Sequence, residues 1–246
     1  MEEIQLVLVS SSGKHLFVRN LNQDYHCQYG MIKKEDLKRI SGSGIVKTNK
    51  DVELPAFQPS FIDIFRKIRR APQIIPAKDM GSIIAETGMG KDSVVVDAGT
   101  GSGALALFMA NIASKIITYE ERKDFAKIAS ENINLLKAKN VLLKNRNVYE
   151  GIDERNVDVV TFDLPEPWKG IGAASAALKP GGFLVSYSPT IPQVCDMLTA
   201  AKEKGFIHMK TIEITEREWE AEGRVVRPKS QTIGHSGFLT FLRKIK

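Results

Sequence analysis

The segment Val96-Asp97-Ala98-Gly99-Thr100-Gly101-Ser102-Gly103-Ala104-Leu105 constrains this chain more than any other. It closes Ser93–Ala98, an apolar run of the kind that forms a central parallel strand. A helix is predicted from Gly103 onward. Glycines at such a junction let the backbone turn tightly and let a ligand approach the main chain. In an open α/β sheet, ligands bind beyond the carboxyl ends of the strands, so this loop stands where a site is expected. The next predicted strand, Lys115–Tyr119, ends at Glu120, whose carboxylate can accept both hydroxyl hydrogens of a ribose.

The loop by itself leaves three readings open. It is a plain tight turn, a nicotinamide or flavin site, or a site for S-adenosylmethionine. Gly99-x-Gly101-x-x-Ala104 satisfies the dinucleotide fingerprint as well. Asp97, two residues before the first glycine, favours S-adenosylmethionine: a carboxylate suits the cationic ammonium of its methionine and would repel a pyrophosphate.

Around the loop the chain alternates helix and strand. Lys123–Leu136 is amphipathic, with Phe125, Ile128, Ala129, Asn132, Ile133 and Leu136 on one side. Val141–Leu143, Val157–Phe162 and Phe183–Tyr187 are predicted strands; Ala173–Leu178 and Val194–Lys204 are predicted helices. His208–Thr215 and Phe238–Arg243 are late strands separated by a charged excursion. Such βαβ units call for a parallel sheet with right-handed crossovers. The beginning reads differently. Ile4–Val9 and His15–Val18 flank a Ser/Gly turn, and further short strands are expected at Ile45-Val46 and Val52–Pro55. Phe61–Ile68 is a short helix. These patterns divide the chain into a small β-rich domain, residues 1–65, and a larger α/β domain, residues 66–246.

Several segments together resemble a known family. Leu178-Lys179-Pro180-Gly181-Gly182 before Phe183 resembles the helix-to-strand turn of class I methyltransferases. Arg69-Arg70-Ala71-Pro72-Gln73 through Asp79, Tyr119–Ala126, Phe162-Asp163-Leu164-Pro165-Glu166-Pro167-Trp168 and Arg227-Pro228 to Leu239 resemble the tRNA adenine-N1 methyltransferases, in order and spacing, from about residue 65 to the end. The pattern is most similar to archaeal members, which methylate T-loop adenine 58 and in some cases 57. The resemblance implies an α/β fold with a seven-stranded class I (Rossmann-like) sheet whose last strand is antiparallel. It implies S-adenosylmethionine as methyl donor, tRNA as partner and a homotetramer. It places Gln73, Asp97, Gly99, Gly101, Ser102, Gly103, Ala104, Leu105, Glu120, Asn147 and Asp163 around the donor, with Asp163 as the catalytic residue. Asp163 would accept the N6 hydrogen of the target adenine and stabilise positive charge growing on the ring. Arg69, Arg70, Trp168, Arg227 and His235 are candidate tRNA contacts; for each, ordinary packing or a solvated surface is the alternative. Two positions depart from the family. Asn147 stands where an acid is usual, and Pro76-Ala77-Lys78 replaces His/Tyr-Pro-Lys.

Composition narrows the alternatives. A net charge of +6 has the sign that a polyanionic partner needs. Cys27 and Cys195 form no CxxC pair and the four histidines supply no zinc spacing, so no metal is expected. No apolar run is long enough for a membrane span and no signal peptide is evident, so the expected location is cytoplasmic. Two rivals remain: a methyltransferase of a protein or small molecule (isoaspartyl or corrin type), and a non-catalytic tRNA-binding subunit. The latter kind loses the glycine loop, which this chain keeps.

Overall fold

The computed structural model describes residues 3–71, 74–231 and 233–245. It divides into two compact units, Met1–Ile68 and Arg69–Lys246.

In the first unit, β1 (Leu6–Val9), β2 (His15–Val18), β5 (Ser43–Lys47) and β6 (Glu53–Phe57) form an antiparallel sheet in the order β2-β1-β6-β5. The β1–β2 hairpin is closed by Ser10, whose hydroxyl accepts the Lys14 N–H at 3.0 Å. Alternation sets the faces: Leu54 and Ala56 of β6 point into a core with Leu6, Leu8, Val18 and Val46, while Glu53 and Pro55 face out. A small hairpin, β3 (Tyr25–Cys27) and β4 (Gly30–Ile32), and the one-turn helix α1 (Lys34–Lys38) complete that core through Ile32 and Leu37. Neither element is evident in the sequence, because three-residue strands are too short to display a period. Helix α2 (Phe61–Phe65) opens at Ser60, whose backbone N–H and hydroxyl both donate to Asp63, at 2.9 and 2.6 Å.

The second unit is built on a seven-stranded sheet of order β12-β15-β11-β10-β7-β8-β9. Its parallel strands are β7 (Val94–Ala98), β8 (Lys115–Tyr119), β9 (Val141–Lys144), β10 (Val157–Phe162) and β11 (Leu178–Ser188). β15 (Phe238–Lys244) inserts antiparallel between β11 and β12 (Phe206–Glu213), as expected for the closing strand. Helices α3 (Ala77–Thr87), α4 (Ala104–Ala110), α5 (Lys123–Leu135), α6 (Ile171–Ala177) and α7 (Ile191–Glu203) join the strands. The central strands are mostly apolar because both faces are covered; Val96, Val160 and Leu184 are fully buried.

Several boundaries shape the second unit, and two differ from expectation. Leu178 already pairs with Val157 and opens β11, so α6 ends one residue earlier and the Lys179–Gly182 turn lies inside the strand's span. Helix α7 begins at Ile191 because Pro192 is tolerated in a first helical turn. Helix α3 starts where Pro76-Ala77-Lys78 departs from the family, with Pro76 extended just before the first turn (φ −62°, ψ 155°). The charged excursion contains a hairpin, β13 (Trp219–Glu222) and β14 (Val225–Pro228).

Candidate active site

β7, β8 and β10 all end at one edge of a cavity of about 450 Å³. That size falls in the range of small-molecule sites. Gly99 and Gly101 line it from the loop after β7, Glu120, Arg122 and Phe125 from beyond β8, Asn147 and Val148 from beyond β9, and Asp163 and Leu164 from beyond β10. Tyr187, Pro189 and Ser236 close the far end.

Backbone crowding fixes the floor. Gly99 has φ +89°, and a methyl group built on it would lie 1.9 Å from the carbonyl oxygen of Asp163. Only glycine lets the two strand tips approach this closely.

Glu120 is held in place before any ligand arrives. Its Oε2 accepts the Gly101 N–H at 2.8 Å and its Oε1 accepts the Arg122 N–H at 2.9 Å. Each oxygen retains a lone pair for a ligand hydroxyl. The Arg122 guanidinium lies 3.8 Å from the centre of the Phe125 ring and pairs with Asp124 at 2.8 Å, so it stiffens the mouth of the cavity.

Asp97 is the penultimate residue of β7. It is buried beneath the loop rather than exposed in the cavity wall. Its Oδ2 accepts from the Thr118 hydroxyl and its Oδ1 from the Thr161 hydroxyl, both at 2.7 Å. Because Thr118 gives its hydrogen to Asp97, Thr100 must donate to Thr118 across their 2.5 Å contact, which pins the glycine loop to β8. Burial pushes the Asp97 carboxyl up against the lowering effect of the two threonines, with the Glu120 charge adding to the rise. The two threonine bonds tie the tip of β7 to β8 and β10.

Ser102, Gly103, Ala104 and Leu105 also support the loop from outside the cavity lining. Ser102, Ala104 and Leu105 are buried, and Gly103 packs against Ala129. Asn132, read as part of an apolar helix face, is fully buried and wholly hydrogen-bonded. Its Nδ2 donates to the carbonyls of Ser102 (2.7 Å) and Arg69 (2.9 Å), and its Oδ1 accepts the Arg69 N–H. Gln73 lies outside the described residues.

Asn147 lines the cavity, and its Oδ1 accepts the Tyr149 N–H at 2.8 Å. An aspartate there would have a second oxygen to offer; asparagine has one, already engaged on one side.

Asp163 lines the cavity from the tip of β10. Its N–H donates to the Ala98 carbonyl at 2.9 Å, continuing the β10–β7 ladder to the strand tip. Among the described residues, no hydrogen bond reaches its carboxyl group. Burial, then the charges of Asp97 and Glu120, push it up to about 7.

The far end holds a network that sequence reasoning missed. Lys78 Nζ donates to Asp79 Oδ1 (2.8 Å), Asp79 Oδ2 (2.9 Å) and Ser236 Oγ (2.6 Å), and Ser236 Oγ donates to Asp79 Oδ2 at 2.8 Å. Residues 158 positions apart meet here, and no local pattern announces it. Tyr187 donates its hydroxyl hydrogen to the Ser236 carbonyl at 2.5 Å.

The tentative tRNA contacts divide. Both ring nitrogens of His235 face acceptors, Glu213 Oε1 at 2.5 Å and the Pro189 carbonyl at 2.9 Å. Both must carry hydrogen, and these two bonds raise its pKa. His235 thus braces the wall behind Pro189 and Ser236. Trp168 packs against the sheet core and does not line the cavity. Arg69 pairs with Glu131 at 3.3 Å and Arg227 with Glu220 at 2.9 Å, both at the surface, and Arg70 is exposed. Among the described residues there is no group of three metal-ligating side chains and no helix long and apolar enough to cross a membrane.

Comparison with known proteins agrees with this geometry. Residues 66–226 match the family model described as the tRNA methyltransferase complex GCD14 subunit. The chain is 34% identical to the tRNA (adenine(57)-N(1)/adenine(58)-N(1))-methyltransferase TrmI of Methanocaldococcus jannaschii, covering 96% of this chain and 94% of that protein. Among solved structures, a SAM-dependent O-methyltransferase from Thermotoga maritima is similar with a TM-score of 0.88 and 27% identity, over 100% of this chain and 94% of that one. The tRNA (m1A58) methyltransferase TrmI from Aquifex aeolicus is similar with a TM-score of 0.83 and 25% identity, over 100% and 99%. The glycine loop, the carboxylates at the tips of β8 and β10 and the antiparallel closing strand thus belong to a chain that is a member of the tRNA adenine-N1 methyltransferase family, a class I family that uses S-adenosylmethionine as methyl donor.

Proposed function

We propose that this protein methylates N1 of adenine 58 in the T-loop of tRNA, and of adenine 57 where the tRNA presents it. The observation that carries the reading is Asp163: a carboxyl without a hydrogen-bond partner among the described residues, at the strand tip, in the cavity that Glu120 and the glycine loop also line.

The residues present fit the donor. Glu120 offers pre-oriented oxygens for two adjacent ribose hydroxyls, Phe125, Val148 and Leu164 offer apolar surface for a purine, and Asn147 Oδ1 accepts from its amino group. When bound, S-adenosylmethionine supplies a methyl group made electrophilic by the attached sulfonium. The target N1 already carries a lone pair, so no base need remove a proton before attack. Asp163 instead accepts a hydrogen from N6, which raises electron density at N1, and its negative charge stabilises the cation forming on the ring. Its pKa of about 7 keeps a substantial ionised fraction at neutral pH. The remaining contribution is positioning, since transfer requires donor and acceptor near contact. An adenine in a folded tRNA is stacked, so it must leave the stack to reach this cavity.

Arg69, Arg70 and Arg227 are placed here as phosphate contacts, and Gln73 as a donor contact. The ion pairs of Arg69 with Glu131 and of Arg227 with Glu220 are weak enough to exchange for phosphate. The same reading carries a homotetramer working in the cytoplasm. The exposed Trp219 and Val226, on one face of the β13–β14 hairpin, support self-association, because exposed apolar patches mark contact surfaces.

The test is nucleoside mass spectrometry after incubating an unmodified tRNA transcript with the protein and labelled donor. Labelled 1-methyladenosine at position 58 is the expected result. Label absent from RNA, with donor binding intact, moves the substrate to a protein or small molecule.

A further inference from the structure

At the far end of the cavity, the polar side-chain hydrogens of Lys78, Ser236 and Tyr187 are all committed. Lys78 is nearly buried and Asp79 is 1% exposed. All three Lys78 ammonium hydrogens are used, two on Asp79 and one on Ser236. The Ser236 hydroxyl is used on Asp79. The Ser236 carbonyl, held by this clamp, takes the hydroxyl hydrogen of Tyr187 at 2.5 Å. A methyl group on Gly237 would come within 2.5 Å of the Tyr187 ring, so the chain after Ser236 lies flat against that ring and fixes its position. A phenol has one hydrogen; once it is given to a carbonyl, only lone pairs are left to face a ligand.

We propose that the buried Lys78–Asp79 pair, acting through Ser236, is a positioning device that makes Tyr187 an acceptor only, so that Tyr187 and Asp163 together read the two hydrogens of an exocyclic amino group on the base being methylated. This inference rests on the proposed function and adds the basis of base selection. Tyr187 remains a phenol at any working pH: burial, opposed by the Ser236 bond and reinforced by the charges of Asp79 and Asp163, pushes it up to about 12. A 6-oxo base such as guanine or hypoxanthine would turn a carbonyl oxygen toward two acceptors and leave all three unpaired. A site built around hydrogen-bond partners rejects such mismatches strongly. Lys78, Asp79 and Ser236 do not touch the base in this arrangement; their effect is exerted through the Ser236 carbonyl.

The experiment is a cycle between protein and base. Single-turnover methylation is followed by mass spectrometry on two tRNA transcripts, one with adenine at the target position and one with purine, which lacks the 6-amino group. Wild type, Tyr187→Phe, Ser236→Ala, Ser236→Thr and Lys78→Met are compared. Tyr187→Phe is expected to slow the adenine transcript about 10-fold or more and the purine transcript less than about 3-fold. Ser236→Ala keeps the Lys78–Asp79 pair and is expected to show the same selectivity in milder form, with Ser236→Thr restoring the adenine rate. Lys78→Met leaves Asp79 buried without its cation; should it fail to fold, Ser236→Ala still decides. Equal slowing of both transcripts by Tyr187→Phe and Ser236→Ala would overturn the proposal, since it would mean the wall is merely structural. Absence of any transfer to the adenine transcript by wild type is a different result, and overturns the proposed function itself.

Discussion

Replacing Asp163 with asparagine should stabilise the protein while abolishing most of its activity. A carboxyl moved from 3.8 to about 7 carries a cost in its ionised form of up to roughly 4 kcal/mol. Part of the group faces the cavity, and screening by solvent there brings the expected figure down to about 1–3 kcal/mol. The sign follows from proton occupancy. Between about pH 4 and pH 7 the folded state keeps a proton that the unfolded state has released, so stability falls as pH rises through that window and levels off above it. Asparagine has no proton to keep. The variant should therefore exceed wild type above pH 7 and match it near pH 4. For a chain of this size the gain corresponds to a melting temperature higher by roughly 3–10 °C at pH 8. Scanning calorimetry at pH 8 and pH 4.5 reads the difference directly. On the proposed function, turnover of the same variant should fall about 100-fold or more, because a neutral amide cannot offset charge on the ring. A variant less stable than wild type at pH 8, or equally stabilised at both pH values, would refute the reasoning.

Further expectations concern the donor side. Binding of the positively charged donor next to Asp163 should lower its pKa and release a fraction of a proton at pH 7, seen by calorimetry as a binding heat that depends on the ionisation heat of the buffer; a heat independent of buffer would contradict this. Gly99→Ala forces a methyl group onto the Asp163 carbonyl and strains a φ of +89°, so donor affinity should fall at least about 100-fold, measured by equilibrium binding on protein shown to be folded. Asn147→Asp keeps one oxygen for the Tyr149 N–H and frees another for the ligand, so donor affinity should rise by about 3- to 10-fold; unchanged or weaker binding would mean that Asn147 does not reach the ligand.

What was legible in the sequence follows from the range over which each constraint acts. The loop from Gly99 to Gly103, the strand before it and Glu120 after it are local features, so periodicity and glycine spacing located them within a residue or two. Asp97 shows the limit of local reading. Its type and position suggested contact with a ligand, but the partners that absorb its two oxygens, Thr118 and Thr161, come from the two neighbouring strands and are visible only once the sheet order is known. Asn132 makes the same point on a helix: a polar side chain at an apolar position reads as tolerated, whereas its three hydrogen bonds to main-chain atoms of Arg69 and Ser102 make it a cross-link between the entry to the second unit and the glycine loop.

The acceptor end was the least legible, for a physical reason. The donor end is made of strand tips that the sheet lays side by side, so each contributes a residue at a predictable place. The far wall is made where the segment before β15 returns, after a long excursion, to lie against Tyr187 of β11 and the first turn of α3. Nothing in the spacing of Lys78, Tyr187 and Ser236 requires them to meet; their meeting depends on β15 inserting antiparallel beside β11. Once that insertion is made, Tyr187 pairs with Leu239 across the two strands, and the residues just before Phe238 have little choice but to pass over its ring. The sequence thus announces the residues proposed to hold the methyl donor, whereas those proposed to select the base emerge only from the topology of the closing strand.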